Sequence, residues 1–439
     1  MSRNTPSRDV GSVHPHGSGR AGEYPGEAGP ESVGVVVGQD GTARKQLEAL
    51  LGAARELRPR LRAEQAETEE RGFYSPKMHR AFVEAGFFRV LLPKKLGGFE
   101  LGVEAFYQLI SEVARGCPSS AWCLCLSAGR TLTLASYWPE QAQHEIFGEH
   151  GHLVSPMSTK PQKDVVITRE NRGLRISGTW KYCSGSPYST HFMAGFELPS
   201  AEDGEPVLHW AVIPRSAYTV LDDWGGIIGM RGSGSHGIRV ADAFVPEHHV
   251  VAATGMSSAS GETVGSQLYG NPVYGGPFMA FAEGEIAAIV AGLGLAAVDE
   301  YEWIISTSKA PWGGDEILRS DHPVWQGKFG TALALVDSAA ALSARGGQLY
   351  EEFARRSVTG QEPFGEERAL RMNNLYLVAE SQVWDAVEMM LRSAGTRHSA
   401  DGARLQRYFR DMVAVRSVAD QLDLFAISTT QAHLASAGR

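Results

Sequence analysis

From about Ala43 to about His150 the apolar positions recur at helical spacing. Leu47, Leu50, Leu51, Ala54 and Leu57 fall on one face with charged residues opposite, which predicts a helical domain over 43–152. From about Leu153 to Val250 the pattern turns to short runs bounded by Gly, Pro, Asn and Asp. They are Val165-Val166-Ile167, Leu174-Arg175-Ile176, His191 to Leu198, Leu208 to Ile213 and Ile238 to Val245, and they predict a small antiparallel β domain over 153–254. The Gly- and Ser-rich stretch 255–276 has no period and reads as a linker or mobile loop. Beyond Pro277 the helical period returns in longer runs. Ile286 to Tyr301 is apolar nearly all round with Gly292 and Gly294 inside it, as suits a helix buried among close neighbours. With runs at about 325–356, 367–394 and from about 404, it predicts a four-helix bundle over 277–439. Residues 1–42 mix Gly, Pro, Ser and His without period, a composition that does not offset the entropy of ordering, and read as a disordered tail. The expected fold class is α+β: helical domain, antiparallel β domain, helical bundle. Apolar bundle helices find partners in other subunits, so a homo-oligomer is expected.

Composition narrows the function classes. A 43% apolar chain of 439 residues can bury a sizeable core, and a net charge of -9 without a Lys/Arg run argues against nucleic acid as a partner. Four cysteines, Cys117, Cys123, Cys125 and Cys183, form no Cys-x-x-Cys pair and no disulfide framework, which points to the reducing cytoplasm. No run of 18 uninterrupted apolar residues predicts a membrane span, and the N-terminus lacks a secretory apolar stretch.

Gly232-Ser233-Gly234-Ser235-His236-Gly237 satisfies Gly-x-Gly-x-x-Gly, but a dinucleotide fingerprint needs a helix after it, and here the strand-like Ile238 to Val245 follows. There is also no Gly-x-Ser-x-Gly elbow, Walker loop or His-Glu-x-x-His. An enzyme without its own nicotinamide site must receive electrons on a carrier. Tandem His248-His249 follows a Val-Pro strand end and reads as surface loop, without the further ligands a metal site needs, so no metal is expected.

Three polar or glycine-rich breaks in apolar sequence carry a family likeness: Gly178-Thr179-Trp180-Lys181-Tyr182-Cys183-Ser184-Gly185, Gly229-Met230-Arg231-Gly232-Ser233-Gly234-Ser235, and Leu405-Gln406-Arg407-Tyr408-Phe409-Arg410-Asp411. Pro93-Lys94-Lys95-Leu96-Gly97-Gly98 and Ser119-Ser120-Ala121-Trp122 precede them. In this order, over roughly residues 45 to 415, they resemble acyl-CoA dehydrogenase-fold flavoproteins. Closest among these is the oxygenase component of two-component (group D) flavin-dependent monooxygenases. The resemblance implies reduced FAD or FMN from a separate flavin reductase, O2 and a small metabolite, aromatic or carrier-bound, as substrates, and a homotetramer.

It also implies site residues. Ser184 holds the flavin N5 position and is the catalytic residue, with Trp180 and Tyr182 on the same strand and Cys183 facing the other way. Trp122 lines the ring pocket and Ser155 belongs to the same cofactor set. Gly395 and Thr396, with Arg407 and Arg410, lie near the flavin phosphates or the adjoining subunit. Read locally, Ser184-Gly185-Ser186-Pro187 is a turn, Trp122 is core, and Arg410-Asp411 is a structural ion pair.

One position departs from the family. Its oxygenases carry a histidine about seven residues beyond the Asp of the Arg-Asp pair, where it assists oxygen activation, and this chain has Val418. The glutamate of acyl-CoA dehydrogenases is absent too, Ala419 standing close to its place. Arg416, Asp420, His398 and His433 are the substitutes to consider. Three functions are therefore expected in turn: a flavin monooxygenase, a flavin dehydrogenase or oxidase using the same pocket, and a catalytically silent flavin-binding subunit.

Overall fold

The computed structural model describes residues 41–158, 164–200, 204–254, 256, 261–311, 317–419 and 422–436, with the side chains of 418, 419 and 422 excepted. Residues 1–40 of the tail expected over 1–42 lie outside them, and Gly41 and Thr42 begin the first helix. Helices α1 (Gly41–Ala63), α2 (Gln65–Arg71), α3 (Pro76–Glu84), α4 (Val103–Gly116), α5 (Pro118–Ala128), α6 (Arg130–Tyr137) and α7 (Glu140–His150) come first. The apolar stripe of α1 is buried at Leu47, Leu50, Leu51, Ala54 and Leu61. Pro118 opens α5 at a position where its missing N–H costs nothing, and the helix is buried on nearly every side.

Among the described residues eight strands follow: β1 (Met157–Ser158), β2 (Val166–Glu170), β3 (Gly173–Trp180), β4 (His191–Pro199), β5 (Pro206–Pro214), β6 (Tyr218–Val220), β7 (Ile238–Pro246) and β8 (Val250–Ala252). They form two four-stranded sheets, ordered β1-β4-β5-β8 and β2-β3-β7-β6. The pairs are antiparallel as expected except β1 with β4, which is parallel. Alternating residues of β3, β4, β5 and β7, among them Ile176, Trp180, Phe192, Phe196, Ile213 and Val245, form a core of their own.

The segment read as a linker contains a helix, α8 (Val264–Tyr269). A reciprocal capping box starts it: Ser266 N donates to Thr263 Oγ1 at 3.2 Å and Thr263 N to Ser266 Oγ at 2.9 Å. Six residues are too short to show a hydrophobic period, so the cap was the signal to read. After α8 come α9 (Phe278–Thr307), α10 (Pro323–Val358), α11 (Glu366–Ala394), α12 (Arg404–Ala419) and α13 (Leu422–Ser436). The last expected helix is thus two helices.

Helices α9, α10 and α11 pack on one another, α12 packs on α9 and α11, and α4 lies against α9 and α10. By length and composition α9 is apolar enough to cross a membrane, but most of that apolar stretch is buried inside the fold, the setting of a core helix. Gly292 shows how close the packing is: a Cβ there would stand 2.3 Å from the Ser111 carbonyl oxygen and 2.5 Å from the Ala114 Cβ, both on α4. Ser111 Oγ also donates to the Ala288 carbonyl at 2.8 Å.

Candidate active site

The glycine-rich landmarks meet where β3, α5, α12 and the loop before β7 converge. β3 ends at Trp180, so Ser184 stands in the turn beyond the strand rather than on it, and the two-residue alternation does not extend to Cys183. Backbone bonds strap this turn to the second landmark: Cys183 N to the His236 carbonyl at 3.1 Å, Gly185 N to Ser233 O at 3.3 Å and Ser186 N to Gly234 O at 3.2 Å. Gly185 must be glycine. Its φ is +84°, and a Cβ would meet the Cys123 carbonyl and Ser127 Cβ at 2.8 Å, so only here can the turn lie flat on α5.

This strapping builds a hydroxyl chain. Trp122 Nε1 on α5 donates to Ser184 Oγ at 3.0 Å, Ser184 Oγ and Ser235 Oγ are 2.8 Å apart, and Ser235 Oγ and Ser233 Oγ are 2.7 Å apart. The indole N–H can only donate, so Ser184 accepts from it, while either hydroxyl of the Ser184–Ser235 pair can be the donor. Where Ser184 is the donor to Ser235, its Oγ keeps one lone pair, on a half-buried residue, for a third group carrying an N–H.

The third landmark fixes the second from the other side. Asp411 Oδ1 on α12 accepts from Met230 N at 2.5 Å, and Arg410 Nη1 donates to the Ile228 carbonyl at 2.8 Å. Met230 and Tyr182 are non-glycine residues in left-handed conformations, φ 51° and 58°. Such backbone strain, about 1–3 kcal/mol per residue, persists where surrounding contacts over-determine it. Arg410 and Asp411 are therefore not paired with each other. Arg410 Nη2 binds Glu69 Oε1 at 2.8 Å, Arg407 Nε lies 3.0 Å from Glu69 Oε2, and Arg407 Nη1 donates to Gln65 Oε1 at 3.2 Å. Both guanidinium groups tie α12 to α2.

Asp411 is buried, and burial pushes its carboxyl up to about 7 despite the Met230 N–H and the two arginines, with Glu69 adding to the rise. An acid raised from 3.8 in this way adds stability below its unfolded value and loses it as pH rises through about 7. Asp411→Asn keeps the acceptor for Met230 N and cannot ionise. Relative to the parent it is expected to gain stability between about pH 4 and pH 7 and then level off; thermal unfolding near pH 5 and near pH 8 checks this, and an unchanged difference between the two rejects the raised carboxyl.

The remaining sequence-derived residues divide. Trp180 is core: it is fully buried between the sheets, its Nε1 donates to Gly195 O at 2.8 Å and its ring meets Phe192 edge-on. The inward face of β3 holds it there. Tyr182 is 74% exposed and rests edge-on against Trp224. Ser155 is buried behind α5, donating from N to Ser127 O at 3.1 Å. Gly395 and Thr396 belong to another locality, leading into a cleft of ≈ 430 Å³ lined by Arg62, Arg397, Arg404 and Arg407 with Glu300 and Asp401. Arg397 makes no ion pair among the described residues. His398 lines the same cleft, His433 pairs with Glu367 at 2.7 Å, and Arg416 lies over the Trp384 ring. Asp420 and the Val418 and Ala419 side chains fall outside the described residues.

Sequence reasoning missed Ser233, Ser235, Glu69 and His236. His236 is buried next to Ser235 in sequence, and burial holds its pKa below the usual imidazole value. The Gly-Ser-Gly-Ser-His run, part of the second landmark, was the available signal.

A helical, a β and a helical region in this order are the architecture of the acyl-CoA dehydrogenase class. The acyl-CoA dehydrogenase N-terminal domain family matches residues 45–145 and the C-terminal domain family residues 285–419. Within that class the chain belongs to the oxygenase components of flavin-dependent monooxygenases. It is 30% identical over 361 residues to the pigment production hydroxylase of a Rhodococcus species, covering 79% of this chain and 86% of that one. It is 28% identical over 374 residues to the flavin-dependent monooxygenase oxygenase subunit HsaA of Rhodococcus jostii, covering 85% and 92%. The structure of XiaF from a Streptomyces species, in complex with FADH2 and glycerol, shares the fold with a TM-score of 0.75 at 24% identity, covering 85% and 92%.

Proposed function

We propose that the chain hydroxylates a small aromatic metabolite with O2, using reduced FAD or FMN delivered by a separate reductase. The hydroxyl chain of Trp122, Ser184 and Ser235 carries this reading, because its spare acceptor fits the N5–H that a reduced flavin presents and an oxidised one lacks. Bound there, reduced flavin supplies the two electrons that convert one oxygen atom of O2 to water while the other enters the product. Ser184 holds the ring N–H, Trp122 fixes the lone-pair direction of Ser184, and Ser235 with Ser233 anchors the Ser184 hydroxyl from the other side. The buried face of α5 behind Trp122 keeps water from the ring. The cleft beside Gly395 and Thr396, with Arg397 at its rim, receives the phosphates, and Arg407 shapes its wall while bound to Glu69. Arg410 supports the Met230 loop from behind.

The working unit is a homotetramer in the cytoplasm, with domain limits at about 43–152, 153–254 and 277–439. Leu424, Ile427 and Leu434 on α13 support the assembly, being more than 40% exposed and at helical spacing. In solution a tetramer's mass is its check.

The purified protein alone is expected not to oxidise NADH or NADPH at a catalytic rate, while adding a flavin reductase and flavin starts oxygen-dependent hydroxylation of a phenolic substrate panel. Steady NADH turnover without reductase sinks the two-component reading. Anaerobic reduction of bound flavin by a substrate replaces it with a dehydrogenase.

A further inference from the structure

The tandem His248-His249 has no part in this chemistry, yet the structure builds a site around it. The pair lies in the short 3-10 turn Glu247–His249 between β7 and β8. Trp138, fully buried, fixes that turn from beneath by donating through Nε1 to the His249 carbonyl at 2.9 Å. The two imidazoles stand 85° apart with centroids at 4.7 Å, and both Nε2 atoms turn to one point. Glu145 of α7 meets them there: its Oε2 is 2.8 Å from His248 Nε2 and 2.9 Å from His249 Nε2. The second carboxylate oxygen, Oε1, accepts from Gln141 Nε2 one helical turn earlier at 2.9 Å, which leaves Oε2 presented to the rings. All three ligand atoms lie within 4.8 Å of one another.

Two ligands about 2.0–2.1 Å from one ion and at right angles to each other are about 2.8–3.0 Å apart, so the two oxygen–nitrogen separations suit a shared centre and open by only a few tenths of an ångström for a tetrahedral one. Two imidazoles and a carboxylate form a borderline donor set, matched to zinc and its neighbours rather than to magnesium or calcium. The Gln141 bond is the outer-shell contact that orients a ligating carboxylate.

We propose that Glu145, His248 and His249 bind a divalent transition-metal ion of the zinc class, with water completing its coordination, and that the ion staples α7 to the β7–β8 turn. The role is structural, since these residues belong to no part of the hydroxyl chain.

The test uses the full chain, freed of any affinity tag and of metal, titrated with zinc chloride by calorimetry and with Co2+ by visible absorption. The wild type is expected to bind one more ion per chain than His248→Ala/His249→Ala, with a dissociation constant in the micromolar range. Zinc should raise its melting temperature by several degrees and leave that of the double variant in place. Glu145→Gln, which keeps an oxygen acceptor for the turn and so guards against a folding failure, is expected to weaken zinc about tenfold or more. Equal stoichiometry in wild type and double variant, or no zinc bound by the wild type, overturns the proposal; counting the difference removes binding by the chain's other histidines.

Discussion

Ser184→Ala is expected to cut the product formed per reduced flavin consumed by about tenfold while leaving the fold in place. Truncation removes the acceptor from the middle of the chain, so Trp122 Nε1 and Ser235 Oγ lose their shared partner together with the ring N–H. One hydrogen bond contributes about 1 kcal/mol to stability, little for a chain this size, whereas a bond that shapes the reacting centre loses about tenfold for each 1.4 kcal/mol. Trp122→Phe keeps the ring but not the donor. It leaves Ser184 free to turn, so a smaller loss of the same sign is expected. Product and peroxide measured against flavin oxidised decide the matter. Unchanged coupling in Ser184→Ala would show that this hydroxyl does not face the reaction, whatever the variant's overall rate.

What the sequence revealed about this site follows a physical line. Periodicity reports whichever face of an element is buried, so the α1 stripe, the all-round apolar α9 and the alternating strands were legible. Turn chemistry was legible too: Gly185 in a left-handed turn places Ser184 against α5. Contacts between residues distant in sequence were not. Nothing local assigns Glu69 to Arg407 and Arg410, which lie more than 300 positions away, and without that pairing both arginines look available for a phosphate. Trp180 was ambiguous for another reason. An aromatic residue at a strand end suits either the core or a ligand, and the register of β3 against β7 chose the core. Glu145 and His248-His249 are joined only by the docking of α7 on the sheet, so the tandem histidines read as loop until the fold supplied the carboxylate.

Removing Arg130 should cost the fold far more than removing any group of the hydroxyl chain. Arg130, at the start of α6, forms an ion pair through Nη2 with Glu285 of α9, and both side chains are almost wholly buried. The guanidinium also lies 5.2 Å from the Phe278 ring centre and 3.8 Å, through Nη1, from Met157 Sδ. The Glu285 neighbours supply only a weak donor, the Cys125 thiol at 3.9 Å, so no other cation takes over among these contacts. Burial already pushes the Glu285 carboxyl up against the pull of Arg130. Arg130→Met fills similar space without charge and leaves that carboxylate unpaired, a change worth about 3–5 kcal/mol. The loss should be largest at high pH, where Glu285 is ionised, and should shrink as pH falls and the carboxyl takes up a proton. Replacing both partners, Arg130→Met with Glu285→Leu, should recover most of the stability, because an apolar pair of similar volume needs no desolvation of charge. Melting temperatures of the two single variants and the double variant form the cycle. A single variant within about 1 kcal/mol of the parent, or a double variant no more stable than Arg130→Met, means that the α5–α6 corner bearing Trp122 is held on α9 by packing and not by this ion pair.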